Sequence, residues 1–265
     1  MHKITKIEVQ KNNKDRFNLY IDNNFFAGID AATYVFYNLK KGQELTDDML
    51  QAIGDYDNYR RAINLALNYL SYKKRTEQEV RQYLNKAEVS ENHIHQTIDY
   101  CIKNQYINHE DYCLSYMNTL LNTTDKGPNH FEAELKSLGV EHDLIEKYKA
   151  KFIDAIDAER ITKIAQKVQK KYSHKLSQRM LEQKLMQTFY QKGYNFDIVS
   201  DYLADVFVEQ QDGVLMAQLE KSVTKLSRKY TGKALYQKVI EQMMRKGFQY
   251  DQIQSALKES GMEDE

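Results

Sequence analysis

Charged side chains carry most of the chemistry this chain could offer, and they are sorted along its length. Residues 149–192 hold eleven Lys or Arg against four Asp or Glu, and residues 221–246 hold eight against one. Between them, residues 193–220 contain six acids and no base, with Asp197, Asp201, Asp205 and Glu209 following one another at i+4. Like charges at that spacing repel along a helix, and a purely solvated face more often mixes its signs. Two readings stand side by side. Acidic helices can neutralise basic neighbours inside the protein, or the basic helices can face a polyanion or an acidic protein groove. On the second reading the contact residues are Lys167, Lys170, Lys171 and Lys184, followed by Arg228, Lys229 and Lys238. Tyr172, Tyr190, Tyr230 and Tyr236 interleave with these bases, at spacings that suit a core better than a stacking platform.

Other chemistries lack their residues. No G-x-x-x-x-G-K-[ST] or G-x-G-x-x-G occurs, so no loop is built to cradle phosphate. There is no C-x-x-C. His93 and His95 would point about 200° apart on a helix and cannot easily share a metal. Asn122-Thr123-Thr124 matches a glycosylation pattern that is idle in a cytoplasmic protein. No Ser/His/Asp or Cys/His set has a local signature. The expectation is a binding protein, not an enzyme, with no cofactor and no metal.

The elements that must position the charges are helical. Pro128 is the only proline and there are ten glycines in 265 residues, too few for a turn-rich β protein. Hydrophobic residues at 42% suffice for a core, while 38 Lys/Arg against 38 Asp/Glu leave no global field to attract nucleic acid or a membrane. Cys101 and Cys113 make no disulfide framework, nothing at the start resembles a signal peptide, and no apolar run approaches the roughly 20 residues that span a bilayer. A cytoplasmic location without a membrane partner follows as an expectation.

Residues 1–56 read as a β-hairpin element with short helices. Thr5, Ile7 and Val9 alternate imperfectly with Ile4, Lys6 and Glu8, and Asp22-Asn23-Asn24 is a turn between Phe17–Ile21 and Phe25–Gly28. A helix is expected over 31–38, and Thr46-Asp47-Asp48 caps another short one. Beyond this the chain repeats. Gly193-Tyr194-Asn195-Phe196-Asp197 and Gly247-Phe248-Gln249-Tyr250-Asp251 agree in register 54 residues apart, and Gly139 and Glu88 mark fainter copies. Leu181, Leu185 and Phe189 form one helical face before the glycine, which ends the helix because a C′ residue favours the left-handed conformation. Phe196, Val199, Leu203, Val206 and Phe207 supply the next face, and Ile161, Ile164, Ala165 and Val168 an earlier one. Thr76-Glu77-Gln78-Glu79 reads as a capping box. The fold expected is mainly α: an elongated array of four tandem three-helix repeats over 57–107, 108–153, 154–210 and 211–265.

Within the second repeat, Gln105–Tyr112, Lys126-Gly127-Pro128 and Phe131–Val140 resemble the RecX family, as does Arg75–Leu84 in the first. Asn129 and His130 stand where that family usually has basic residues. The resemblance implies a modulator of the RecA recombinase in homologous recombination, DNA repair and the SOS response. Such a protein would act as a monomer along the RecA–single-stranded DNA filament, suppressing ATP hydrolysis and strand exchange and contacting DNA directly or through the filament. The alternative is a nonspecific DNA-binding helical protein that acts without RecA. The array itself is open to test: small-angle scattering should show a particle longer than a sphere of 265 residues, and a globular profile would exclude it.

Overall fold

The computed structural model describes residues 1–206 and 213–262, with side chains described up to Tyr202 and again from Gly213. The chain divides into two compact units. One is Met1–Ser115 with Leu135–Ile145, the other Tyr116–Glu134 with Glu146–Glu265.

The first unit opens with an antiparallel sheet of order β3-β2-β1-β4, built from β1 (His2–Val9), β2 (Arg16–Ile21), β3 (Asn24–Asp30) and β4 (Glu44–Leu45). The imperfect alternation at the start has a cause: the β1/β2 register shifts between Ile4 and Lys6, a bulge that re-aims one residue. Ile4, Leu19, Ile21, Ile29, Leu39 and Leu45 form the core beneath it together with Ile53.

Ile53 belongs to α2, and α2 is not short. After α1 (Ala31–Phe36), capped by Asp30, α2 runs from Asp47 to Tyr72, 26 residues, with Thr46 as its N-cap. A boundary expected near residue 56 therefore lies inside a helix. Gly54 costs a helix interior only about 1 kcal/mol, and burial on both sides outweighs it. Ile53 packs into the sheet core, whereas Ala66 packs with Val80, Leu84, Ile94, Ile98 and Cys101 of α3 (Glu77–Lys86) and α4 (Glu91–Lys103). Asp57 fastens α2 to the sheet: its carboxylate accepts the Asp30 amide at 2.6 Å and the Thr33 hydroxyl at 2.9 Å, with Arg16 at 3.4 Å. The Thr76–Glu79 capping box forms as expected. Cys101 and Cys113 are free and buried, and desolvation pushes both thiols up to about 11.

The remaining helices follow as α5 (His109–Thr123), α6 (Pro128–Ser137), α7 (His142–Asp154), α8 (Ala158–Tyr172), α9 (Gln178–Gln191), α10 (Phe196–Val206), α11 (Val214–Leu226), α12 (Gly232–Arg245) and α13 (Tyr250–Glu259). Leu181, Leu185, Phe189 and Val199 are buried as their spacing predicts. Phe196 is not: it is 61% exposed, as is its counterpart Tyr250 at 46%, because in both copies the first aromatic after the glycine, Tyr194 or Phe248, takes the core position. The side chains of Leu203 and Val206, and residue Phe207, lie outside the described residues.

The repeated glycine does more than end a helix. In the second unit, a Cβ on Gly193 at the end of α9 would sit 2.9 Å from the His130 amide nitrogen at the start of α6. A Cβ on Gly247 after α12 would sit 2.0 Å from Met180 Cγ and 2.5 Å from Ser177 Oγ at the start of α9. Backbone bonds close both junctions: Gly127 N–H donates to the Lys192 carbonyl at 2.6 Å, Asn129 N–H to Gly193 at 3.0 Å, and Ser177 N–H to Lys246 at 3.0 Å. The first unit holds a third example, where a Cβ on Gly139 after α6 would meet Gln78 Oε1 at 2.4 Å. Asn129 and His130 serve the junction, Asn129 donating to Asn195 Oδ1 at 2.7 Å and His130 Nε2 lying 2.9 Å from the Gln191 carbonyl. The left-handed turn after α3 carries Glu88 (φ 56°), whose side chain is exposed.

Opposite outcomes follow. Gly193→Ala, strained in φ and blocked by backbone, should lower unfolding stability by about 2 kcal/mol or more. Glu88→Gly should raise it by about 0.5–1 kcal/mol. Denaturation midpoints that move alike would refute the difference between the two turns.

Candidate functional site

The basic side chains of the second unit are sorted by what they touch. Arg160, in the first turn of α8, is half-buried and spends its donors within the protein. Its Nε donates to Tyr194 Oη at 2.7 Å, Nη1 to the Leu121 carbonyl at 2.7 Å, and Nη2 to the carbonyls of Lys126 at 2.8 Å and Leu120 at 3.3 Å. One guanidinium thus satisfies the Leu121 carbonyl at the C-terminal end of α5, adds to the bonds that the Leu120 carbonyl accepts from Thr124, and holds the loop leading to Pro128.

Next come bases held by acids. Lys167 and Lys192 share Asp125 Oδ2, at 2.8 and 3.1 Å. Lys163 pairs with Glu159 at 2.6 Å, and Lys238 with Glu241 at 2.8 Å. A cleft of about 590 Å³ beside Asp125 contains Arg160, Lys163 and Lys167, but Asp125, Asp157 and Glu159 line it too, so it does not suit a polyanion.

Of the bases expected to make contact, Lys170, Lys171, Arg228 and Lys229 are exposed and form no ion pair among the described residues, and Lys175, Lys221 and Lys225 share that character. Lys171 and Lys184 flank the Tyr172 ring, their Nζ atoms 5.3 and 5.7 Å from its centre, and Lys184 also donates to Gln187 Oε1. The structure therefore brings Lys171 and Lys184 together and diverts Lys167 and Lys238 into ion pairs. Charge spacing along the helices reveals bases that the segment totals hide. Lys163, Lys167 and Lys171 recur at i+4 on α8. Lys221 and Lys225 on α11, with Lys229 in the turn after it, repeat the series 58 residues later. Lys221, Lys225 and Arg228 line one shallow cleft of about 560 Å³ with Glu220 and Thr224. Residues 160–181 contain no acid at all.

The carboxylate stripe does not neutralise this face where it can be seen. Asp197 and Asp201 are exposed and unpaired among the described residues; the Asp205 side chain and Glu209 lie outside them. Lys246 is a different base: burial and then the charges of Lys225 and Lys221 push its pKa down, and its ammonium bonds to Gln218 Oε1 at 2.8 Å and Ser222 Oγ at 3.2 Å instead of a carboxylate. Among the described residues no group of His, Cys, Asp and Glu could hold a metal ion, and no helix is long and apolar enough to cross a membrane. Buried His93 lies 3.2 Å from Asp55, and His95 faces Asp99.

Helix triplets following a small N-terminal sheet, with lysine lines on the first helix of the last two, make this a protein built from three-helix domains. Family models agree: the regulatory protein RecX N-terminal domain matches residues 2–46, the RecX first three-helix domain 62–101, and the RecX third three-helix domain both 155–203 and 209–257. The chain is 48% identical to the regulatory protein RecX of Staphylococcus haemolyticus and 46% identical to that of Staphylococcus saprophyticus. These alignments cover 100% of this chain, and 100% and 98% of the relatives. A crystal structure of a regulatory protein RecX superposes with TM-score 0.69 at 29% identity, covering 77% of this chain and 100% of that one. The chain belongs to the RecX family of regulatory proteins.

Hydrogen bonds from Lys167 and then Lys192 hold the Asp125 carboxyl below the usual carboxylate range, against the opposing effect of burial. A depressed folded pKa stabilises above the unfolded value, about 3.9, and that contribution is lost as pH falls through the lowered folded value. The stability gap between wild type and Asp125→Asn should therefore be widest near neutral pH and close at strongly acid pH. Urea titrations across that range that show a constant gap would dismiss the coupling.

Proposed function

We propose that this protein docks on the RecA–single-stranded DNA filament and suppresses its ATP hydrolysis and strand exchange. The observation that carries this reading is the duplicated lysine line of α8 and α11, ending in four exposed bases that no described acid neutralises. The recombinase as the object of regulation is what the resemblance to the RecX family implies. The filament is a polyanion within a protein groove, and a basic line on successive three-helix units suits its phosphates. No step of this action needs a nucleophile or a metal from the protein itself.

Direct contact with DNA is the second reading, favoured by the acid-free run 160–181 and by Tyr172 between two ammonium groups. Each phosphate contact to a single strand adds about 0.7 to the slope of log affinity against log salt. Reversing Lys170, Lys171, Arg228 and Lys229 together to Glu should weaken binding to the filament and flatten that slope while leaving helicity unchanged. Exposed substitutions usually alter stability by only about 0.5 kcal/mol each. Wild-type protein should slow ATP hydrolysis by RecA on single-stranded DNA. No change in that rate at saturating protein, alongside salt-sensitive binding to naked DNA, would replace the first reading with the second.

A further inference from the structure

Two junctions of the second unit are built to the same plan, and one of them holds an acid that the other lacks. Each is closed by a middle-helix carbonyl, Lys192 or Lys246, which accepts the N–H of Gly127 or Ser177. Two residues before these donors stand Asp125 and Lys175. On the first helix of each triplet, a step of 58 residues carries Arg160 to Gln218, Lys163 to Lys221 and Lys167 to Lys225. The correspondence is structural as well as numerical. Ile161 and Leu219 are both buried. The Gln218 amide donates to the His174 carbonyl at 2.7 Å, as Arg160 donates to that of Lys126, each carbonyl in a loop leading into a middle helix.

In the earlier triplet the Asp125 carboxylate joins the Lys167 and Lys192 ammonium groups, at 2.8 and 3.1 Å. In the later one the matching bases are Lys225 and Lys246, and Lys175 holds the chain position of the acid. Lys246 is half-buried, and its ammonium is fixed by Gln218 Oε1 and Ser222 Oγ, on residues only 6% and 1% exposed. Burial lowers its pKa, and the charges of Lys225 and Lys221 lower it further. Around α11, Lys225 lies about 20° and Lys221 about 60° from Gln218, whereas the exposed acid Glu220 lies about 160° away. Lys175, Lys221 and Lys225 are exposed, and none of the four bases forms an ion pair among the described residues. Three ammonium groups thus lie close enough to repel one another, with a fourth base where the duplicate junction supplies its own anion.

An external anion relieves that repulsion. The basic face continues into exposed Arg228 and Lys229 beyond the end of α11, so the anion that suits it is one of a row. Lysine binds phosphate as a point charge. We infer that Lys225, Lys246, Lys221 and Lys175 form a seat for a phosphate group of a polynucleotide backbone, in the place that Asp125 fills in the duplicate junction. This rests on the proposed basic face as the binding surface and separates its two halves: the earlier triplet is closed by its own acid, and the later one is open.

The test is Lys175→Asp, which returns the missing acid, read by binding of oligothymidylate and by thermal melting with and without inorganic phosphate. Oligothymidylate affinity should fall at least fivefold, and the slope of log affinity against log salt should drop by about 0.7 for one lost phosphate contact. Lys246→Gln, which removes the ammonium without adding an acid, should lose affinity in the same direction, so misfolding of one variant cannot account for the result. Lys14→Asp makes the same change of net charge in an exposed loop of the first unit and should bind like wild type. An equal loss there would reduce the effect to net charge and overturn the site, as would wild-type affinity in both Lys175→Asp and Lys246→Gln. Variants that lose only the stabilisation by inorganic phosphate and keep their oligothymidylate affinity would make the ligand a free anion and overturn the polynucleotide assignment. A loss of polyglutamate binding alone would overturn it in favour of an acidic polypeptide. Wild-type protein that leaves ATP hydrolysis by RecA unchanged, with the oligothymidylate losses as expected, would remove the filament reading and leave this seat standing.

Discussion

The structure of the second unit depends on one kind of contact: a peptide carbonyl at the end of one middle helix meeting an N–H at the start of another. Lys192 O receives Gly127 N–H, and Lys246 O receives Ser177 N–H. Each bond joins groups that a helix leaves without internal partners, and it sets the negative end of one helix dipole against the positive end of another. Such closeness leaves no room for a side chain at the turn, so glycine there is a steric requirement as well as a conformational one.

Arg160 supports the same junction from the other side. Its four donated bonds gather the end of α5, the loop before Pro128 and Tyr194, which sits directly after the Gly193 turn. Burial raises the Tyr194 phenol pKa, with Arg160 working against that rise. Arg160 and the Asp125 pairs hold the framework, whereas Lys170 and Lys171 further along α8 are exposed and form no ion pair among the described residues. Separating structural from spare charge in this way makes a basic face available for binding.

Much of this was legible in the residues themselves. The glycine spacing, the apolar faces of α8 and α9, the Thr76–Glu79 box and the free cysteines are local signals, and local physics decides them. What escaped depended on contacts distant in sequence. The length of α2 is set by two cores, one at Ile53 and one at Ala66, that no window around Gly54 reveals. Segment totals treated Lys167 and Lys170 alike, yet Asp125, 42 residues before Lys167, claims only the first. The exposed aromatics misled for another reason: Phe196 has helical spacing, but Tyr194 already fills the space it would occupy.

The economy of the glycine junction bears on how such a chain can change in length. The contact centres on backbone groups and on the absence of a side chain, with a few side chains such as Arg160, Asn129 and His130 supporting it. A duplicated triplet brings both halves of its own joint, an open helix start and a glycine turn. The match of one domain model to both 155–203 and 209–257 fits that history. Length in this architecture is therefore counted in whole triplets, and a lineage can lengthen or shorten its reach along a partner without redesigning a core.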